Sequence, residues 1–549
     1  MNPPEAQNRW SALQGPQRTH FSWHHAAIAL IAGAAQAASL AWPFAFQNAL
    51  FMLLGLRQGQ AVWWLQLLAL GMLAWLLQGR RAQGDISWRL AALWGWLFGT
   101  AWLSCTFWWT FVALHTYGGL PFILAALAVI LLAGLLALFY AAACGSFKAL
   151  APVHPAWAAI IFAATWLLAE LIRGTWLTGF GWGATGYAHV DSPLAGFAPW
   201  VGVYGLCALS AWLAMTLAQM FHAGNRRPWR QRALGLTALV AVLALPFLAR
   251  MVEPDPTTTT GRLSVTLLQG NIPQDEKFES GSGVPLALQW YAEQLQSNRS
   301  ALVVAPETAI AVLPQQLPPG YEAALQQRFA TGGQAALIGI PLGDNQQGYT
   351  NSVWGLQPGQ AQPWRYNKHH LVPFGEFIPP LFKWFTEMMN IPLGDFNRGA
   401  LIQPPFEWLG QRIAPNICYE DLFSEELAPH FVDPAQAPTL FVNISNLAWF
   451  GDSMAMDQHL QIARMRALEF ARPFVLATNT GVSAIVDHRA NIVSRLPRDT
   501  RGVLVGEVEG RAGVTPYGWW LSRTGLWPFW LLAVGLVWLA ARRRSDQDR

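Results

Sequence analysis

Residues 238–270 read ALVAVLALPFLARMVEPDPTTTTGRLSVTLLQG, and the chain changes character inside them. Up to Arg250 they are almost wholly apolar. From Glu253 onward Pro, Asp and Thr intervene, and Leu263–Leu268 resumes as a short β-rich run. A membrane span needs about 20 mostly apolar residues, whereas a strand needs about five or six. The boundary therefore divides a helical membrane part from a globular part.

Toward the N-terminus the apolar character continues with only short polar breaks. Toward the C-terminus the globular mixture runs to about 515, and apolar sequence returns near Trp527 and ends in Arg542-Arg543-Arg544. We expect a transmembrane helical domain over 1–254, a folded domain over 255–515, and a closing helix with a basic tail over 516–549. Of 549 residues, 53% are hydrophobic and 12% charged. Soluble proteins carry about a quarter charged residues, so the deficit points to lipid. The 30 Trp residues suit the membrane–water boundary. A net charge of +4, with Arg residues beside apolar runs, argues against nucleic acid as a partner.

Span length predicts about eight helices, near 24–42, 61–78, 90–110, 121–144, 156–172, 200–221, 233–250 and 525–541. Residues 44–57 are apolar too and read as an interfacial or re-entrant piece. Basic residues collect on the cytoplasmic side of short loops. Arg80, Arg81 and Arg89, then Lys148, then Arg226, Arg227, Arg230 and Arg232, and finally Arg542–Arg544 all fall on one side of this arrangement. Both termini are then cytoplasmic, and the domain between the seventh and eighth helices is exported. Glu170 and Arg173 are ionisable at membrane depth and read as a local i, i+3 pair near the interface. His24, His25 and His115 lack metal-ligand spacing, and no metal or cofactor is expected.

The exported part alternates β-rich runs (Ala301–Ala305, Ala336–Ile340, Ser352–Leu356, Ile413–Ile417, Leu440–Ile444, Phe474–Ala477) with helical stretches at Pro285–Gln296, Tyr321–Ala330 and Asp457–Ala471. This predicts an α/β domain with sheets inside and helices outside. Glu307 follows one run and Cys418 another, while Lys368 lies in the segment Asn367–Glu376. Cys418 is the one Cys of four outside the predicted spans, and a leftover thiol in an exported domain is a candidate reactive group. A Cys nucleophile needs a base or a nearby cation. Glu307 has the chemistry to take the thiol proton. Lys368 and the Tyr419 N–H have that of oxyanion donors, and Glu376 that of a partner holding Lys368. The plain alternative is that these are surface carboxylates and a solvated lysine.

Pro306-Glu307-Thr308-Ala309-Ile310, the Asn367–Glu376 segment with its Leu371-Val372-Pro373-Phe374-Gly375-Glu376, and Ile417-Cys418-Tyr419-Glu420 resemble the carbon–nitrogen hydrolase (nitrilase) superfamily. Gln269-Gly270-Asn271-Ile272-Pro273, Ser445-Asn446 with Ala448–Asp452, Arg464–Glu469, Tyr117–Pro121 and Leu177–Phe180 extend the likeness to its membrane branch, the apolipoprotein N-acyltransferases. The resemblance implies a nitrilase-like αββα sandwich on the periplasmic face of the inner membrane. It implies catalytic roles for Glu307 as base, Lys368 as oxyanion stabiliser and Cys418 as nucleophile, with Glu376, Tyr419, Glu420, Phe278 and Trp449 supporting or touching substrate. It also implies a phospholipid acyl donor, typically phosphatidylethanolamine, and a diacylglyceryl-modified apolipoprotein as acceptor. Two positions depart from the family pattern: Phe278 stands where relatives often have Trp, and Leu447 where they often have Asp.

A chain handling acyl groups beside a membrane is physically reasonable. Drawing a sixteen-carbon chain into water costs roughly 12 kcal/mol, at about 0.8 per methylene. Leu381–Met389 is read either as an apolar lid or as a loop packed on the sheet. Two other functions compete. One is a membrane-anchored amidase or nitrilase hydrolysing a C–N bond, for which eight spans are more than a tether requires. The other is a transporter or scaffold with an inactive domain, which the survival of all three triad residue types disfavours.

Overall fold

The computed structural model describes residues 21–45, 48–78, 86–150, 154–221, 229–252, 255–360, 362–378 and 396–547. Leu381–Met389, the expected lid, lies outside them. Helices stand at each expected span: Trp23–Leu40, Trp63–Gln78, Trp88–Thr106, Phe122–Leu150, Pro155–Thr175, Ala198–Phe221, Trp229–Val252 and Trp527–Gln547. Among the described residues three are long and apolar enough to cross a bilayer by themselves, or five if each of two bent pairs counts as one span. The bends are 64° between Trp88–Thr106 and Thr110–Tyr117, and 84° between Pro516–Thr524 and Trp527–Asp546. Trp63–Gln78 has only 16 residues, which is about 24 Å of helix. Within 44–57 there is a five-residue helix, Ala49–Leu53, too short to span.

Phe122–Leu150 shows how the bundle is built. Leu124, Leu127, Leu131, Leu135 and Leu138 are exposed, while Ala125, Val129, Ala133 and Ala137 are buried. The small face allows close approach to Trp88–Thr106, where a Cβ added to Gly95 would meet the Tyr140 carbonyl oxygen at 2.6 Å. Small residues at helix contacts serve this purpose in lipid. Glu170 and Arg173 do pair at i, i+3, at 2.8 Å, and both are fully buried near the end of their helix. Arg173 also donates to Tyr140 Oη and to the carbonyls of Phe180 and Trp182, and Glu170 accepts from the Thr185 N–H and hydroxyl. The pair braces the loop that leaves the Pro155–Thr175 helix. His115 Nδ1 contacts the Leu120 carbonyl at 2.7 Å, and His25 lies against Trp75 and Trp94.

The rest is a two-sheet sandwich. One sheet has the order β12-β1-β2-β3-β4-β5 and the other β11-β10-β9-β8-β7-β6. The strands are β1 Thr257–Gln269, β2 Leu302–Ala305, β3 Ala335–Asp344, β4 Gly348–Leu356, β5 Trp364–Asn367, β6 Phe406–Trp408, β7 Gln411–Ile417, β8 Leu440–Ser445, β9 Phe474–Thr478, β10 Ala484–Val486, β11 Ile492–Arg495 and β12 Gly502–Gly513. Each sheet has a parallel centre (β1-β2-β3 and β7-β8-β9) with antiparallel flanks. Central strands covered on both faces read as continuous apolar runs, as Leu302–Ala305 does. Leu263, Val265, Val304, Ile413, Val442 and Val475 fill the space between the sheets. Gly283–Ser297 and Tyr321–Thr331 cover the first sheet, and Met454–Phe470 the second. The layers are αββα.

Pro415 sits inside β7 without breaking it. Arg412 faces β8, since its carbonyl accepts from the Thr439 N–H. Ile413, Pro415 and Ile417 therefore face the other way, where β6 pairs only as far as Ile413. The missing N–H of Pro415 interrupts nothing, and the Ile417 N–H is left for a side chain.

Candidate active site

Cys418 stands where β7 ends and a tight turn, Cys418–Leu422, begins. Its φ of 51° lies in the left-handed region, which a residue with a side chain occupies at a cost of order 1–3 kcal/mol and which tends to mark functional sites. The turn is held from below: the Cys418 carbonyl accepts from Asn443 Nδ2 at 3.0 Å and lies 3.4 Å from His459 Nε2. His459 thus reaches the backbone of Cys418 and pairs with Asp421 at 3.1 Å. The thiol itself is half-buried. Burial, then Glu307, push its pKa well above the usual thiol value, and Lys368 offsets this only in part. These surroundings favour the thiol over the thiolate.

Glu307 follows β2 and is buried. Its Oε1 accepts from Asn351 Nδ2 at 2.7 Å and lies 3.5 Å from Lys368 Nζ, and its Oε2 accepts from the Asn446 N–H at 2.8 Å. Lys368 follows β5, is 1% exposed, and reaches Glu376 at 2.9 Å. Burial alone works against its charge, but Glu376 and then Glu307 overcome this and hold its pKa above the ordinary lysine value. Glu376 also accepts from Asn351 Nδ2 at 2.7 Å and from the Val372 N–H at 2.8 Å. Asn351 therefore clasps both carboxylates through one amide nitrogen while Lys368 lies between them as a shared cation.

Glu420 lies on the other side of the turn. It accepts from the N–H groups of His369 and His370 at 2.7 and 3.1 Å, from Tyr366 Oη at 2.8 Å and from the free Ile417 N–H at 2.6 Å. Burial raises its pKa to about 7, against the pull of these donors and of Lys368. Four donors aimed at two oxygens leave no place for an amide NH₂. Glu420→Gln should therefore destabilise the protein by about 1–3 kcal/mol and disorder the Lys368 segment. A thermal unfolding midpoint equal to wild type would contradict this.

Tyr419 donates its hydroxyl to the Gly179 carbonyl at 2.9 Å and stacks on Phe180, with ring centroids 6.3 Å apart. The residue after the candidate nucleophile is thus bonded to the loop braced by Arg173. Trp449 packs edge-on against Tyr117, at 5.6 Å between centroids. Phe278 is half-buried in the turn that follows Ile272-Pro273. Leu447 is fully buried in apolar surroundings, so this site holds no carboxylate there. The structure thus gathers Glu307, Lys368 and Glu376 in one bonded cluster whose charges act on Cys418, with Tyr419 and Glu420 in the turn that Cys418 opens. Phe278 and Trp449 lie on neighbouring segments.

Asn351, Asn443 and Lys277 do not emerge from the sequence, and Asn446 emerges only as part of the Ser445-Asn446 motif. Asn351 lies between Thr350 and Ser352 in the polar first half of β4, so it does not stand out there. The others make contacts that join residues far apart in the chain, such as Asn446 with Glu307, and leave no local signal.

Residues 38–216 match the apolipoprotein N-acyltransferase N-terminal domain, and residues 264–517 match the carbon–nitrogen hydrolase domain. An apolipoprotein N-acyltransferase of Verminephrobacter eiseniae is 56% identical over 512 residues, covering 91% of this chain and 92% of that one. One from Ralstonia nicotianae is 43% identical over 528 residues, covering 93% and 97%. At that identity and coverage, and with both domains matched in order, this chain belongs to the apolipoprotein N-acyltransferase family.

Proposed function

We propose that the protein moves an acyl chain from a phospholipid onto Cys418 and from there to the α-amine of a diacylglyceryl-modified apolipoprotein. The observation that carries this reading is the Tyr419–Gly179 bond, which ties the turn of Cys418 to the end of the apolar bundle. An acyl chain can then reach the thiol without crossing water. The name borne by the relatives supports transfer to an amine over hydrolysis of a C–N bond.

In the first half, Glu307 takes the thiol proton as sulfur attacks the ester carbonyl. Lys368, with the Tyr419 N–H, faces the oxyanion. The C–O bond breaks, and the departing lysophospholipid alkoxide takes the proton from Glu307. In the second half, the acceptor amine attacks the thioester and gives a proton to Glu307. The C–S bond breaks, and sulfur recovers the proton as the amide forms. The domains divide at 1–254, 255–515 and 516–549, with eight spans, cytoplasmic termini and a periplasmic catalytic domain in the inner membrane. The basic loops support that sidedness.

Incubation with phosphatidylethanolamine alone should place a fatty-acyl mass on the Cys418 peptide, and a diacylglyceryl peptide should discharge it as an amide. Discharge to free fatty acid at the same rate with or without the peptide would favour the hydrolase reading. An unmodified Cys418 in folded protein would end both.

A further inference from the structure

Lys277 is a second lysine in this pocket. It lies in the turn after Ile272-Pro273, flanked by Asp275 and Glu276, yet it is 1% exposed. Its Nζ donates to the Glu307 carbonyl at 3.1 Å. Among the described residues that is the one hydrogen bond its ammonium makes, and it goes to a neutral oxygen. Two N–H donors are left over in a site where a thiol must become an anion. The turn that carries it is well anchored. The Lys277 N–H donates to the Pro273 carbonyl, and Ile272 is bonded through both its N–H and its carbonyl to the side chain of Asn479. Gln274 accepts from Asn446 Nδ2, and Asn446 in turn donates its N–H to Glu307.

We infer that Lys277 is a positioning residue of the acylation step, one that tethers Glu307 by its carbonyl and supplies a second positive charge to the Cys418 thiolate. Counting charges gives the reason. Glu307, Glu376, Lys368 and the neutral thiol sum to −1, and moving a proton from sulfur to Glu307 leaves that four-group sum unchanged while putting an anion on the nucleophile. A cationic Lys277 brings the sum to zero. Burial lowers its pKa to about 7, and the charges of Glu307 and Cys418 oppose that fall. Such coupling is reciprocal. If a thiolate favours the protonated lysine, the protonated lysine favours the thiolate. Lys368 differs, because two carboxylates keep it charged.

This inference rests on Cys418 being the acylated nucleophile, and its test is readable without acyl transfer. In the full-length protein, Lys277→Gln keeps an N–H donor for the Glu307 carbonyl but removes the charge. We expect its unfolding midpoint to stay near wild type. We expect iodoacetamide to modify the Cys418 peptide at neutral pH at least about tenfold more slowly, with thioester formation from phosphatidylethanolamine slowed alike. Alkylation within twofold of wild type would overturn the inference. If Lys277→Gln is destabilised, Lys277→Arg decides: recovered alkylation supports a role for charge, and unrecovered alkylation reduces Lys277 to packing. Wild-type protein that never acquires an acyl group would instead count against the proposed function, and the alkylation rates would still be comparable.

Discussion

Cys418→Ala should lose acyl transfer by at least about 10⁴-fold, since removing a nucleophile from a set that acts as a unit costs about as much as removing the set. Stability should change little. The side chain is half-buried, and the turn is held by the Cys418 carbonyl, which Asn443 and His459 still reach in the variant. A loss of less than about 1 kcal/mol is expected for so small a truncation. The paired measurement is transfer from phosphatidylethanolamine to a diacylglyceryl peptide alongside a thermal melt. A folded variant that still transfers would remove sulfur from the mechanism.

Lys368→Met has the next largest expected effect, and it acts on both stability and rate. Its ammonium stands between Glu307 and Glu376, which share the Asn351 amide. Without it two buried carboxylates face each other with no cation from that side chain, a change that costs about 3–5 kcal/mol where a buried partner is removed. One carboxyl then binds a proton more tightly than it would in the unfolded chain. The variant's deficit should therefore shrink as pH is lowered and grow as pH rises through the raised carboxyl pKa. Thioester formation should fall by a further 10²–10³-fold for the lost oxyanion donor. Adding Glu376→Gln should recover part of the stability and none of the rate. Melting curves from pH 5 to 8 on the single and double variants would show it. A Lys368→Met protein as stable as wild type at pH 8 would contradict the geometry described for this pocket.

How much of this was legible in the sequence depends on the distance over which each residue works. The passage from the helix Trp229–Val252 to the strand Thr257–Gln269 coincides with a change of composition that is legible in the sequence. β2, β7 and β8 could be read because strands covered on both faces are continuous apolar runs. Gly502–Gly513 does not stand out as a strand in the sequence, and its alternation of Val with Gly and Glu explains why. It lies at a sheet edge with alternate residues exposed, so it lacks an apolar run. Glu307, Lys368 and Cys418 stood out as reactive types just past strand ends. Lys277 did not, because two neighbouring acids make it look like a solvated surface lysine. Its burial comes from the packing of its turn against Glu307, a residue 30 positions away. The eight apolar runs were each correctly read as helix. Run length alone did not show the 64° and 84° bends, which reduce how many are straight and long enough to cross.

The helix Met454–Phe470 has a consequence for biogenesis. From Ala455 to Phe470 every residue is buried, although the stretch includes Gln458, His459, Gln461, Arg464, Arg466 and Glu469. Several of their partners belong to the bundle: Trp109 and Trp182 for Gln458, the Gly59 carbonyl for Gln461, Asp191 for Arg464 and the Val203 N–H for Glu469. A sandwich excised from its helices would present these groups to solvent without the neighbours that order them, along with the apolar surface between them. The helical bundle must therefore be in place for the sandwich to bury this helix, so a chain that fails to assemble the one cannot complete the other.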